Sequence, residues 1–231
     1  MRVCIDAGHG GKDSGAVGTK EVEKRINLQV AERVAYALEN AGISVTMTRE
    51  ADTYITLANR CNVANSANAD IFVSIHTNST DKGKPGWQNA KGVETWVYVN
   101  EGNTQKLAQA VHNNLSVGRI DRGIKENGFA VLTGTKMPSI LIELGFISNE
   151  GEQSYMMANI DYMAKCISDG IIAYLGIKKP VDSNVVSAWA IDAWEQCKEL
   201  GILDGTRPKD SITREEAAVI VSRLLKITGV M

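Results

Sequence analysis

Two of the three histidines in this 231-residue chain lie where an apolar, strand-like segment ends and a loop begins. His9 lies in the run DAGHGGKDSGA, where glycines let the backbone pass close to whatever the imidazole contacts. His76 ends the run IFVSI and begins the loop HTNS. The carboxyl ends of parallel strands share one edge of a sheet, and open α/β folds place their sites at that edge. We therefore expect the two imidazoles to meet, although either one alone is more often a satisfied surface or core residue.

Glu23 has the position of a third ligand. It falls on the helical phase of Ile26 and Val30, the face that should turn inward, and a carboxylate there is costly unless a positive group meets it. A first-turn glutamate favoured by the helix dipole explains the same position, and that alternative stays open. Two histidines and one glutamate are a common catalytic zinc set that leaves a fourth position for water. The pattern predicts one Zn²⁺ per chain, held by His9, Glu23 and His76.

Glu143 interrupts the otherwise apolar segment PSILIELGFISN near the end of a predicted strand. Buried carboxylates are rare without a role, and desolvation raises the pKa of a glutamate into a range suited to general base catalysis. An ion pair with a buried arginine is the structural alternative. Beside a metal centre, Glu143 is predicted to take a proton from water and return it to a leaving amine. The third histidine, His112, lies on an amphipathic segment and is expected to be a surface or packing residue.

Composition excludes several classes of partner. With 25 basic and 27 acidic residues, the net charge of -2 gives no electrostatic reason to expect nucleic acid or an anionic membrane. No window approaches the roughly 18 apolar residues that a membrane span needs. No signal peptide is visible at the N-terminus, so we expect synthesis in the cytoplasm. The four scattered cysteines lie among apolar or helix-forming neighbours and are expected to be reduced thiols.

The elements that must position these residues alternate between strand-like and helix-like patterns. This alternation predicts an α/β fold with a twisted, mainly parallel sheet flanked by helices. Strands are predicted at 2–6, 43–48, 71–75, 93–99, 129–132 and 139–144, and helices at 22–41, 57–68, 104–115 and 160–175.

A composition change near residue 176 divides the chain. The run GIKKPVDSN contains a proline and few apolar residues, which is typical of a linker. We expect a catalytic domain at 1–176, a linker at 177–187 and a small helical module at 188–231. About fifty residues in two helices make a marginal core, so the module is expected to dock, dimerise or belong to a larger array.

The first part of the chain resembles the zinc-dependent N-acetylmuramoyl-L-alanine amidases of bacterial autolysins and phage endolysins. The resemblance covers residues 2 to about 175, in the order that the family shows. It rests on the runs DAGHGGKDSGAVG, EKRINL, TRE with a spaced Leu57 and Arg60, ANSANADIFVSIHTNS, GVET, DRGIKENGFAVL and PSILIELGFISN.

The resemblance implies a site and a substrate. His9, Glu23 and His76 match the family's zinc ligands, and Glu143 matches its catalytic glutamate. These enzymes cut the amide between the lactyl group of N-acetylmuramic acid and the L-alanine of the stem peptide, so the implied partner is peptidoglycan. Asn78 and Lys125 lie in the matching segments and are predicted substrate contacts, although Asn78 could equally cap a turn.

The end of the chain resembles one repeat of an S-layer homology module, a unit that binds secondary polymers of Gram-positive walls. The resemblance implies wall-polymer contacts at Trp189, Thr213, Arg214 and Glu216. Such repeats usually cooperate, so a single one implies weak binding unless a homodimer supplies avidity. A helical hairpin that only packs on the catalytic domain or on its own copy is the alternative.

Two other functions compete with the amidase. A wall-binding protein built on an inactive amidase fold is disfavoured by the joint presence of the four site residues. A zinc peptidase acting within the stem peptide finds no HExxH motif to support it. An enzyme without a leader must reach the wall by holin-type export or by lysis, and the sequence does not choose between a phage endolysin and a host autolysin.

Overall fold

The computed structural model describes residues 1–80, 86–177, 191–203 and 214–227. The chain divides into two compact units, Met1–Lys179 and Pro180–Met231. The first unit contains, in chain order, β1 (Arg2–Ala7), α1 (Glu23–Asn40), β2 (Ser44–Met47), α2 (Leu57–Ser66), β3 (Ile71–Asn78), β4 (Val93–Val97), α3 (Gly102–Leu115), β5 (Asp121–Glu126), α4 (Ala130–Thr133), β6 (Ser139–Phe146), α5 (Glu150–Ala158) and α6 (Ile160–Tyr174).

The six strands form one sheet in the order β2-β1-β3-β6-β4-β5. Neighbours are parallel except β4 and β6, which pair antiparallel. The predicted α/β class, with a mainly parallel sheet flanked by helices, is therefore confirmed. Because β4 and β5 run against the other four strands, their starting residues lie at the same edge as the carboxyl ends of β1, β3 and β6.

The two faces of the sheet differ in chemistry, because side chains alternate along each strand. On β3, Val73 and Ile75 enter the main apolar core, which α1, α3 and α6 complete. Ser74 and His76 take the opposite phase. A smaller apolar cluster around Phe72 covers that second face, together with residues of α2 and α4. The second face is therefore covered over only part of its length, and the polar side chains lie at its end.

Helix α1 shows why the main core forms where it does. Its buried side chains include Ile26, Val30, Val34 and Leu38, a spacing of four residues that keeps one stripe against the sheet. The helix ends before Gly42, whose φ of +77° is a conformation that side chains disfavour.

The structure corrects one predicted strand and adds two elements. Residues 129–132 were predicted as a strand, but Ala130–Thr133 form the helical turn α4, in which Gly134 N donates to Ala130 O at 2.9 Å. The run is apolar without alternation, and packing against α2 decides its conformation. Strand β5 was not predicted because its sequence, DRGIKE, is mostly charged. Helix α5 was missed because few of its residues are apolar, although Asn149 caps it by accepting from Glu152 N at 3.1 Å.

The C-terminal unit contains α7 (Ile191–Glu199) and α8 (Arg214–Ile227). Ile202 is buried, and Arg223 Nη1 donates to its carbonyl oxygen at 3.0 Å, which ties α8 to the turn after α7. The predicted linker at 177–187 lies outside the described residues except for Ile177. Within the described ranges, no helix combines the length and the apolar character that a membrane crossing requires.

Candidate metal centre and active site

The structure brings the three predicted ligands together at the carboxyl edge of the sheet. His9 follows β1, Glu23 begins α1, and His76 lies near the end of β3. One donor atom from each of the three lies within 4.8 Å of the others. Glu23 Oε1 is 3.2 Å from His9 Nε2 and 2.9 Å from His76 Nδ1. Two imidazole nitrogens and one carboxylate oxygen, converging in this way, fit a divalent transition metal with an open coordination position.

Glu23 is the first residue of α1, and its carboxylate faces this centre. Its Oε1 accepts from Thr77 N at 3.0 Å, and its Oε2 accepts from Ala16 N at 2.8 Å. Burial opposes ionisation of this carboxyl, but hydrogen bonds and charge interactions with His76 and His9 outweigh it and hold the pKa well below the usual range. Glu23 is therefore a fixed, ionised ligand at neutral pH.

Two glycines leave the space that the ligands occupy. A Cβ atom on Gly8 would lie 2.3 Å from His76 Nε2, and one on Gly15 would lie 2.6 Å from Glu23 Oε2. His9 itself has a φ of 60°, in the left-handed region that residues with a side chain rarely adopt. The glycine-rich sequence is thus required by close approach, and the strained backbone of His9 must be held by its surroundings.

Asp13 orients His9. Its Oδ2 lies 2.9 Å from His9 Nδ1, while its Oδ1 accepts from Gly15 N at 3.0 Å. Burial lowers the pKa of His9, but Glu23 and Asp13 outweigh it and raise that pKa above its ordinary value. A carboxylate on one ring nitrogen directs the other towards the metal position. We did not predict Asp13, although its spacing of four residues from His9 in a glycine-rich run was a usable signal.

Two arginines fix the backbone that carries His9. Arg60 Nη2 donates to His9 O at 2.7 Å, and its Nη1 donates to Ala7 O at 2.7 Å. Arg49 Nε donates to the same Ala7 O at 2.8 Å, and its Nη2 donates to Gly8 O at 2.9 Å. Both side chains are almost fully buried. Three consecutive carbonyl groups are therefore held in the conformation that the ligand loop needs.

Asp6 compensates the charge of Arg60. Its Oδ1 lies 2.6 Å from Arg60 Nη1 and accepts from Thr48 Oγ1 at 2.6 Å, and its Oδ2 accepts from Ser74 Oγ at 2.6 Å. Burial favours the neutral acid, but Arg60 and the two hydroxyls outweigh it and lower the pKa of Asp6. We did not assign a role to Asp6, although an aspartate that ends the apolar strand RVCIDA was a signal of a buried partner.

Glu143, which belongs to β6, lies beside the three predicted ligands. It is paired in register with His76 of β3 and with Glu94 of β4. Among the described residues, its Oε2 atom is buried without a hydrogen-bond partner. Burial, then the charges of Glu23 and Glu94, raise its pKa well above the ordinary value. The sequence left open an ion pair between Glu143 and a buried arginine. Among the described residues, the buried Arg60 pairs with Asp6 and not with Glu143.

A cleft of about 210 Å³ opens over these groups. Its polar lining includes His9, His76 and Glu143, and its apolar lining includes Tyr54, Leu57 and Phe129. Two of the three predicted ligands and Glu143 therefore line the same cleft.

The other predicted site residues lie near Glu143 but do not line this cleft. Asn78 Nδ2 donates to Glu94 Oε2 at 3.3 Å, and Lys125 Nζ lies 2.9 Å from Glu94 Oε1. Glu94, a buried carboxylate that we did not single out, thus joins both residues. His112 is buried, with Nδ1 2.9 Å from Thr95 Oγ1, so it packs at the base of β4 and takes no part in the metal centre.

The proposed wall-polymer residues are only partly described. Trp189 and Thr213 lie outside the described residues. Arg214 and Glu216 belong to the first turn of α8, but their side chains lie outside the described part of the chain.

Fold and site together define a class: a metal-dependent hydrolase on an α/β sheet, with three protein ligands and an adjacent buried carboxyl group. The family model for N-acetylmuramoyl-L-alanine amidases matches residues 3–173. The chain belongs to this family of peptidoglycan amidases.

Individual relatives agree with the family match. The amidase LytC of Bacillus subtilis is 38% identical over 74% of this chain, which spans 35% of the length of LytC. The endolysin of Bacillus phage SPP1 is 37% identical over 77% of this chain and 67% of its own length. Among solved structures, the catalytic domain of the amidase CwlV from Bacillus (Paenibacillus) polymyxa var. colistinus is similar, with a TM-score of 0.71 and 38% identity over 77% of this chain and 99% of that domain.

Removing the partner of His9 should weaken metal binding without unfolding the protein. We expect Asp13→Ala to lower the affinity for Zn²⁺ about 10- to 100-fold, the usual effect of losing such a carboxylate. Competition with a chromogenic chelator measures this directly, and Asp161→Ala, at an exposed pair with Arg33, serves as the control. Equal affinities for the two variants would exclude the orienting role of Asp13.

The Asp6–Arg60 pair should make stability depend on pH. At neutral pH we expect Asp6→Asn to lower the free energy of unfolding by about 3–5 kcal/mol, because Arg60 stays buried without its counter-charge. Since the native pKa of Asp6 lies below its ordinary value of 3.8, its stabilising effect is present above pH 3.8 and is lost as the pH falls through the native pKa. Urea unfolding of the wild type and of Asp6→Asn at pH 7 and pH 3 should show that the difference between their free energies of unfolding is smaller at pH 3. Asp161→Asn, at an exposed pair with Arg33, should change little at either pH.

Proposed function

We propose that this chain hydrolyses the amide between N-acetylmuramic acid and the L-alanine of the peptidoglycan stem peptide, with one Zn²⁺ held by His9, Glu23 and His76 and with Glu143 as general base and acid. The observation that carries the proposal is the buried Oε2 of Glu143, which has no hydrogen-bond partner in the described part of the chain and lies next to three convergent side-chain atoms. Family membership supports the choice of bond.

The donor set supports zinc as the metal. Two imidazoles and one carboxylate are typical of catalytic zinc sites, whereas magnesium and calcium prefer oxygen ligands. When bound, zinc lowers the pKa of a water molecule and polarises the carbonyl of the scissile amide. The ligands are held by Asp13, Thr77 N and Ala16 N, so the residues that bind the metal are already oriented.

Glu143 performs the proton transfers. Its carboxylate accepts the proton of the attacking water, and the resulting carboxylic acid donates that proton to the nitrogen of the leaving L-alanine. A carboxyl group with an ordinary pKa holds a proton poorly at neutral pH. The raised pKa of Glu143 therefore favours the second proton transfer, in which the carboxylic acid protonates the leaving nitrogen. Neighbouring Glu94 and Glu23 help to set that pKa, because each adds negative charge near it.

Replacing the Glu143 carboxyl separates catalysis from metal binding. We expect Glu143→Gln to slow hydrolysis about 10²- to 10⁴-fold, the range for removing a general base, while zinc affinity stays close to that of the wild type. Digestion of purified Gram-positive sacculi, followed by mass spectrometry, should yield stem peptides beginning with free L-alanine and no new reducing ends. Glu150→Gln, an exposed glutamate on α5, is the control.

The products also decide between this and other metallohydrolase activities. Chelation with EDTA should stop the reaction, and added Zn²⁺ should restore it. Release of shorter peptides would indicate a peptidase, and release of acetate would indicate a deacetylase. Intact sacculi after incubation with the zinc-loaded wild type would overturn the proposal.

We also propose that the chain comprises a catalytic domain at 1–176, a linker at 177–187 and a wall-binding module at 188–231. The resemblance to an S-layer homology repeat supports this role, and it assigns polymer contacts to Trp189, Thr213, Arg214 and Glu216. The partner is a secondary wall polymer, and a homodimer through the module supplies the avidity that one repeat lacks. The enzyme reaches the wall after holin-type export or lysis.

Cosedimentation with walls tests the module. We expect Arg214→Ala in the full chain to weaken binding to native walls by at least several-fold, with no loss for Lys198→Ala, whose partner Glu195 lies on the exposed surface of α7. Acid-stripped walls that lack the polymer should bind the Arg214→Ala and Lys198→Ala variants equally weakly. Light scattering of the purified proteins, without walls, reports whether the chain is a dimer. Undiminished binding by Arg214→Ala would remove the assignment of this residue.

A further inference from the structure

Glu94 on β4 organises a pair of basic side chains next to the active site. Lys125 Nζ lies 2.9 Å from its Oε1, and Arg122 Nε donates to the same oxygen. Glu94 is buried, whereas Arg122 and Lys125 are each about one-third exposed, at 37% and 34% of the side chain. Two positive charges therefore meet one carboxylate, which leaves surplus positive charge on the partly exposed basic pair.

Aromatic rings hold both basic groups in place. The Arg122 guanidinium lies 4.8 Å from the centre of the Phe146 ring, and Lys125 Nζ lies 5.2 Å from the centre of the Trp96 ring. Such stacking limits the motion of long side chains that would otherwise rotate freely in water. Both cations are consequently held in place before any ligand arrives, which reduces the entropic cost of binding an anion.

The position of the pair relative to Glu143 limits what it can bind. Glu94 is directly opposite Glu143 in the β4–β6 register, and neighbouring strands lie about 4.8 Å apart. In the proposed function the scissile carbonyl lies at the metal position beside β3 and the leaving nitrogen lies beside Glu143 of β6, so the peptide side of the substrate continues away from the three ligands, across β4. Two residues of extended peptide span about 7 Å, which brings the second residue of the stem to the basic pair.

We propose that Arg122 and Lys125 bind the free α-carboxylate of the second stem-peptide residue, a γ-linked D-glutamate, and so make the enzyme prefer stems in which this group is not amidated. This inference rests on the proposed function, because it uses the orientation in which L-alanine leaves beside Glu143. Glu94 is a positioning residue in this arrangement, since it holds both cations without contacting the substrate.

The test compares two soluble muropeptides that differ only in whether this α-carboxyl is free or amidated. For the zinc-loaded wild type we expect kcat/KM to favour the free carboxylate by about tenfold or more, the size of effect that charge-assisted hydrogen bonds produce. Lys125→Gln and Arg122→Gln should each reduce this preference, by slowing the carboxylate substrate more than the amidated one. Lys165→Gln, which loses an ion pair with Asp169 on α6, is the matched control and should keep the full preference.

The outcomes separate the inference from the proposed function. Equal kcat/KM for the two substrates in the wild type overturns the inference while leaving the amidase activity established. Variants that slow both substrates alike also overturn it, because they indicate a structural role for the basic pair. Failure of the wild type to cleave either substrate, or the sacculi, overturns the proposed function and the inference together.

Discussion

The site depends on two buried arginines that bind backbone carbonyl oxygens. Arg49 and Arg60 hold the carbonyls of Ala7, Gly8 and His9, and they keep His9 in a left-handed conformation that is unfavourable by itself. Burying guanidinium groups is expensive, and Asp6 with its two hydroxyl partners offsets that cost for Arg60. The metal centre therefore inherits its geometry from a charged network on the second face of the sheet.

Negative charge is distributed unevenly around the site. Glu23, Glu143 and Glu94 follow one another across neighbouring elements, and each has a different set of partners. Glu23 meets two imidazoles, and Glu94 meets two basic side chains. Glu143, between them, meets neither, so it alone has a raised pKa. The pKa values of the three carboxyl groups thus differ because of their neighbours, although all three are the same amino acid.

The sequence predicted the fold class and pointed to the three groups that the structure brings together, because each had a visible anomaly. His9 and His76 follow apolar runs, and Glu23 is a charged residue on the apolar face of a helix. The supporting residues carried weaker signals. Asp13 was marked only by its spacing from His9, and Arg49 acts through contacts with segments distant in sequence, which no local pattern shows. Strand β5 was missed for a related reason. Its side chains are mostly charged, and the partner of Arg122 and Lys125 is Glu94 on another strand, so the local sequence shows no apolar alternation.

The hydrogen bonds that hold Glu23 and His9 come from the protein itself, from the backbone of Ala16 and Thr77 and from Asp13. Contacts within the protein therefore orient both side chains. The glycine-rich loop and the end of β3 are consequently constrained by these side chains as well as by the fold, because a shift of either backbone segment would turn a carboxylate or an imidazole away from the site.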